Sequence, residues 1–266
     1  MIVFAPGGPG FSARREAEVL EAAVKNAGEE IRFWEDPWHD AGSAQRSWDG
    51  YLASLQQFLH VACQADSALT VVGHSFAVNP LLIVLQRIEW TPRRVVMVAP
   101  AFDVHDFHRR VVSLAARDFE RLDPPKAAQL TALLVRTQSL FDADMKEALG
   151  VAAQDPLLFR HYWQDEAAFN GFAAAAAQPD AQFSPEAFFI VSAGLANHGC
   201  DYLQPANPLP ARALILYGGR DPIVGRSLSS AAAARAFAAV EERTLDDCGH
   251  WVHLERPDVF LDLVRV

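Results

Sequence analysis

Little in this chain of 266 residues suits it to crosslinking, membrane crossing or nucleic acid binding. Cysteine occurs three times, at Cys63, Cys200 and Cys248. An odd, widely spaced set makes no disulfide framework and fits reduced thiols in a cytoplasmic protein. Apolar runs are short and broken by charge or proline, which argues against a transmembrane helix and membrane insertion. No basic stretch precedes the apolar start Met1-Ile2-Val3-Phe4-Ala5. The run therefore reads as a buried strand and not as a signal peptide. Positive charge is also scarce: 23 Lys and Arg stand against 33 Asp and Glu, for a formal net charge of -10. That balance points away from nucleic acid or an anionic membrane as the main partner and leaves a small molecule. Internal repeats and long linkers are absent from the sequence.

What the chain has is apolar residues, 51% of the total, enough for a large single core with or without an inserted unit. Short β-branched runs alternate with helical patterns, which predicts an α/β fold: a mostly parallel sheet of about six strands with helices on both faces. Strands are expected at 2–5, 31–34, 69–72, 95–98, 213–217 and 241–245. Helices are expected at 12–27, 43–64, 76–88, 227–240 and 256–264. Pro80 and Pro257 then fall in first turns, where a missing N–H is tolerated.

Residues 101–208 break the rhythm and read as several helices rich in Ala, Leu and Phe. The expected organisation is a core of 1–100 and 209–266 carrying a helical cap or lid at 101–208. Ten of the 17 Phe residues lie in the insertion, among them Phe102, Phe107, Phe169 and Phe172. They are expected to form its core and to line a pocket beneath it. Trp38, Tyr162 and Trp163 read mainly as packing.

The chemistry centres on Gly73-His74-Ser75-Phe76-Ala77, which follows a predicted strand and precedes a predicted helix. A serine at such a sharp turn is pushed outward at the C-terminal edge of the sheet, and small residues two positions either side allow the close approach. A serine hydroxyl needs a base, and His250, in Gly249-His250-Trp251 after the last strand, is the candidate. His253 competes, and the pair at i, i+3 could suggest a metal, but a third ligand is not evident and none is expected. Asp221, in Gly218-Gly219-Arg220-Asp221-Pro222, is favoured to orient the histidine, with Asp103 as the alternative acid. Cys248, two residues before His250, reads as a small core or loop residue. An oxyanion hole would take the backbone N–H of Phe76 and one from Pro6-Gly7-Gly8-Pro9-Gly10, where Gly8 is the expected donor. No Lys-Ser/Thr follows that loop, which argues against phosphate binding.

With these motifs the chain resembles the α/β-hydrolase superfamily over nearly all its length outside the insertion. The resemblance implies an acyl-enzyme on Ser75, with His250 as base and then acid, Asp221 orienting it, and Gly8 and Phe76 holding the oxyanion. It implies no cofactor. The loop at 6–10 is similar to the HGGPG run of proline iminopeptidases with the His replaced by Pro6, and Phe76 stands where those enzymes usually carry Trp. Both departures point away from peptidase activity. The chain begins at what would be the family's third strand, so the preceding antiparallel hairpin is expected to be absent.

The expected function is hydrolysis of a carboxylic ester of a small, moderately apolar substrate by a monomer or homodimer. The alternatives are an amide or C–C bond hydrolase, aminopeptidase-like or acting on a ring-cleavage product, and a non-catalytic binding protein. An aminopeptidase would need a carboxylate at the pocket, for which Glu120, Glu147, Glu166 and Glu186 are available.

Overall fold

The computed structural model describes residues 1–39, 46–139 and 142–265. Its first half alternates strand and helix: β1 (Ile2–Ala5), α1 (Arg14–Ala27), β2 (Ile31–Phe33), α2 (Trp48–Ala65), β3 (Thr70–His74), α3 (Val78–Leu85) and β4 (Arg94–Val98). Helices follow without intervening strands among the described residues: α4 (Val104–Leu122), α5 (Pro124–Arg136), α6 (Ala143–Ala152), α7 (Glu166–Ala176) and α8 (Pro185–His198). The alternation then resumes with β5 (Leu209–Gly218), α9 (Arg226–Ala236), β6 (Phe237–Leu245), α10 (Val252–Glu255) and α11 (Pro257–Arg265).

The six strands form one sheet in the order β2-β1-β3-β4-β5-β6, and every neighbouring pair is parallel. Alternate residues of the inner strands serve opposite faces. Val3, Val71, Val95, Met97 and Ile215 join α2, α3, α8 and α9 in one apolar cluster. Ile2, Phe4, Val72, Val96, Leu214 and Leu216 pack with Phe260, Leu261 and Val264 of α11 in another. Each such fully buried side chain contributes roughly 1.5–3 kcal/mol of hydrophobic stabilisation. The central strands are buried on both faces, which is why they read as unbroken apolar runs. The helices between β4 and β5 carry their own cluster, including Leu130, Leu133, Met145 and Phe172, and it continues into Trp251 and Leu254.

Most expected elements are present, with shifted ends. The largest difference is at 237–240, expected as helix and found as the start of β6. β5 reaches back to Leu209, which pairs with Phe237, and buried Phe237 anchors the strand there. Ala238 and Ala239 are exposed on this edge strand, and alanine's helical preference hid it in the sequence. The helix expected to start at Phe76 begins at Val78, after a single tight turn over Ser75–Ala77, and ends at Leu85 instead of 88. α2 begins at Trp48, capped by Ser47, and the first positions of the helix expected from 43 lie outside the described residues.

Candidate active site

β3 runs through Gly73 and His74 directly into Ser75, whose φ is +53°. For a residue with a side chain this backbone costs on the order of 1–3 kcal/mol, so the surrounding structure must impose it. Part of that constraint is steric: a Cβ on Gly73 would sit 2.9 Å from Leu81 Cδ2 and 3.3 Å from the Val78 backbone, so only glycine lets α3 pack this close. Another part is polar. Buried Asn79 donates to the carbonyls of Phe76 and Ala101, both at 3.0 Å, and accepts the Tyr202 hydroxyl at 2.7 Å. The sequence offered no sign of Asn79 in this role.

The structure brings Ser75, His250 and Asp221 together. His250 Nδ1 lies 2.8 Å from Asp221 Oδ2, and Nε2 lies 2.9 Å from Ser75 Oγ. A carboxylate only accepts, so Nδ1–H donates to Asp221 and Nε2 is left to accept the serine hydroxyl. Asp221 Oδ1 accepts the N–H groups of Ile223 at 2.9 Å and Val224 at 3.2 Å. Burial pushes this carboxyl up, but the charge and hydrogen bond of His250 and the two N–H groups outweigh it and hold it below the usual carboxylate range. Asp103 is elsewhere: it caps α4, accepting the Asp106 N–H at 2.8 Å.

Gly8 and Phe76 line the same cavity as Ser75 and His250. Gly8 has φ +71°, a conformation that glycine adopts freely and that shapes the loop over the serine. The loop is pinned on both sides: Gly7 N–H donates to Glu16 Oε1 at 2.8 Å, and Gly10 N–H to Asp36 Oδ2 at 2.9 Å.

Glu16 opens a second buried network that sequence reasoning missed. Its Oε2 lies 2.5 Å from His253 Nε2, and its Oε1 lies 3.6 Å from His74 Nδ1. His74 Nε2 donates to the His250 carbonyl at 3.2 Å. Burial pushes the Glu16 carboxyl up, but the charge and hydrogen bond of His253 outweigh it and bring it down to about 2. Burial brings the His74 imidazole down to about 4, so it is neutral at pH 7. One carboxylate thus links the loop at Gly7 to the helix after His250, with the His74 ring beside it.

Among the described residues, two trios could offer three ligand atoms to a cation: Glu16, His74 and His253, and Asp118, Asp155 and His161. His250 belongs to neither. The first trio is closed by the Glu16–His253 hydrogen bond and fully buried, which suits positioning better than ion exchange.

The segment leading into α7 is joined to the histidine loop. His250 N–H donates to the Tyr162 carbonyl at 2.7 Å. Glu255 accepts Gly249 N–H on Oε1 at 3.1 Å, and Gln164 and Asp165 N–H on Oε2 at 3.0 and 3.2 Å.

Above Ser75 is a cavity of about 400 Å³, walled largely by apolar side chains from both sheet loops and the helical segment. Phe107 and Tyr162 reach it, each with its ring 6.0 Å from the His250 ring. Phe159, Phe183 and Phe189 line it too and are exposed at its rim. Phe102, Phe169, Phe172, Trp38 and Trp163 are packing residues outside its lining. Among the described residues no Asp or Glu lines it, and Glu120, Glu147, Glu166 and Glu186 are all elsewhere. Cys248 is buried nearby, with its thiol pushed up to about 12 by burial and adjacent carboxylates, so it is inert. No helix of the described residues is long and apolar enough to cross a membrane.

The family model described as "Alpha/beta hydrolase family" matches residues 2–263. No curated protein matches in sequence. Similar solved structures include a 2-hydroxy-6-oxo-6-phenylhexa-2,4-dienoate hydrolase from Rhodococcus sp. strain RHA1, 16% identical, covering 99% of this chain and 88% of that one, with a TM-score of 0.61. A serine hydrolase from the polyaromatic-hydrocarbon-degrading bacterium Cycloclasticus zankles is 16% identical over 99% and 88% of the two chains, at a TM-score of 0.60. A proline iminopeptidase-related protein from Thermus thermophilus is 18% identical over 98% and 86%, at 0.57. At these identities the likeness concerns the fold.

Proposed function

Because the chain belongs to the alpha/beta hydrolase family, whose fold it has, we propose that it is a serine hydrolase cleaving carboxylic esters of small, moderately apolar substrates through an acyl-enzyme on Ser75. The observation that carries this reading is the relay Ser75 Oγ–His250 Nε2–His250 Nδ1–Asp221 Oδ2, at 2.9 and 2.8 Å, opening into an apolar cavity.

In this reading His250 Nε2 takes the serine proton as Oγ attacks the ester carbonyl. Negative charge develops on the carbonyl oxygen, and the backbone N–H groups of Gly8 and Phe76 receive it. The intermediate collapses, and His250 returns the proton to the departing alcohol. The same nitrogen then deprotonates a water, which attacks the acyl carbon and frees Ser75. Asp221 holds the Nδ1–H tautomer and stabilises the imidazolium in both halves. The helical segment at 101–208 acts as a cap on the core formed by 1–100 and 209–266, and its aromatic rings select an apolar group. The three free thiols fit a cytoplasmic enzyme.

An aminopeptidase-like activity is disfavoured by the cavity lining, which among the described residues offers no carboxylate for a substrate ammonium. A non-catalytic binding protein would have no use for the buried, hydrogen-bonded Asp221–His250 pair. A fluorophosphonate probe is expected to label the wild type at pH 7–8 and not Ser75→Ala. An unlabelled wild type would refute the proposal. Faster turnover of aminoacyl anilides than of short esters would move the substrate class to amides.

A further inference from the structure

One polar atom in the cavity has a fixed hydrogen-bonding sense and no protein partner. His108, on α4, lines the cavity and is 4% exposed. Its Nδ1 lies 2.6 Å from the Val104 carbonyl oxygen. A carbonyl can only accept, so Nδ1 carries the proton. Burial brings this imidazole down to about 4, which leaves Nε2 as a bare lone pair at neutral pH. Among the described residues, no N–H or O–H group is within hydrogen-bonding distance of Nε2. The rings of Phe107 and Phe188 stand 5.3 and 5.6 Å from the imidazole. A bound O–H would satisfy this acceptor.

We propose that His108 Nε2 recognises a hydroxyl on the apolar part of the substrate, so that the preferred substrate is a hydroxylated ester. The inference rests on the ester hydrolysis proposed above. The Phe107 ring adjoins both the His108 ring, at 5.3 Å, and the His250 ring, at 6.0 Å. Phe107 thus packs against both the imidazole that would receive the hydroxyl and His250. A carboxylate is itself an acceptor and would be repelled by Nε2. Two other lining residues are less selective: the Tyr162 hydroxyl can donate or accept, and Lys146 carries an exposed, flexible ammonium.

The test is pH-stat hydrolysis of matched methyl esters: hexanoate with 6-hydroxyhexanoate, phenylacetate with 4-hydroxyphenylacetate, and 3-phenylpropanoate with its 4-hydroxyphenyl analogue. In at least one pair the hydroxylated ester is expected to have the higher kcat/KM, by about tenfold, the worth of one net hydrogen bond. His108→Phe and His108→Leu should each abolish that preference. His108→Gln, which keeps an acceptor oxygen, should retain part of it. No preference in any pair, or a preference that survives in His108→Phe or His108→Leu, overturns the proposal. Calorimetric binding of the same pairs to Ser75→Ala separates the two readings. A His108-dependent binding preference without wild-type turnover would count against ester hydrolysis alone. Wild-type turnover without a preference in either assay would count against His108 alone.

Discussion

Glu16 is 237 residues from His253 in the chain, yet its carboxylate is the hinge of the network under the serine. Replacing it with Gln keeps the shape and removes the charge. The Glu16 carboxyl is brought from 4.5 to about 2, so its interactions favour the folded, ionised form by roughly 3 kcal/mol. Because the folded value lies below the unfolded one, the unfolded chain takes up the proton first as pH falls. The stabilisation is therefore complete above pH 4.5 and is lost on the way to about pH 2. Glu16→Gln should cost about 3 kcal/mol at pH 7, and the gap to wild type should narrow below pH 4.5. Glu16→Leu should cost more, since it also leaves the Gly7 N–H and His253 Nε2 without a partner, at roughly 1–3 kcal/mol each. Urea unfolding followed by tryptophan fluorescence across this pH range measures both gaps. The ester assay adds a functional readout, because releasing Gly7 loosens Gly8: kcat should fall more than KM rises. A Glu16→Gln deficit under about 1 kcal/mol at pH 7, or one that is the same at pH 3.5 as at pH 7, would refute the reasoning.

Two further outcomes follow from the same geometry. Asp221→Asn should keep the fold, since its side-chain oxygen can still accept the Ile223 and Val224 N–H groups, but should lower kcat by about 10³–10⁴ by favouring the wrong His250 tautomer. Steady-state ester kinetics check this, and a loss under about tenfold would remove Asp221 from the proposed relay. Burial holds His74 and His108 neutral, each at about 4 against an ordinary 6.5, so the unfolded chain gains protons first and stability should fall as pH drops from 6.5 towards 4. Each imidazole accounts for roughly 2 kcal/mol of that loss by pH 5. His108→Phe should therefore lose less stability than wild type between pH 7 and pH 5 in urea melts, and an equal loss would contradict the assignment.

What could be read in the sequence shares one property: its meaning is local. β3, the small residues at 73 and 77, and the Gly-Pro loop carry their geometry in a few adjacent positions, because a strand-to-helix turn is a local constraint. Ser75, Asp221 and His250 could be proposed from the sequence for a related reason, since each sits past a strand that a short apolar run announces. The extent of β6 was not legible, because Ala238 and Ala239 are strand only through pairing with β5. The helix preference of alanine is a weak prior that a neighbouring strand overrides.

The residues that hold the site in shape were hidden for a stronger reason. Asn79, Glu16 and Glu255 have no motif of their own, and the Gly-His-Ser motif says nothing of the contacts of His74; each is defined by groups that only the folded chain brings near. Glu255 could have been anything on a short helix until the N–H groups of Gln164 and Asp165 are seen pointing at it. Those bonds cross from the helical segment to the histidine loop, as does His250 N–H to the Tyr162 carbonyl. A shift of the segment would therefore move His250, the proposed base, and not only the cavity wall. Substrate fit and the alignment of His250 with Ser75 are thus mechanically linked. A substrate that seats well beneath α4 and α6 supports the geometry in which Nε2 stands 2.9 Å from Oγ. If the proposed relay acts, selectivity in such an arrangement should be expressed in kcat as well as in KM, because a poorly seated substrate would disturb it.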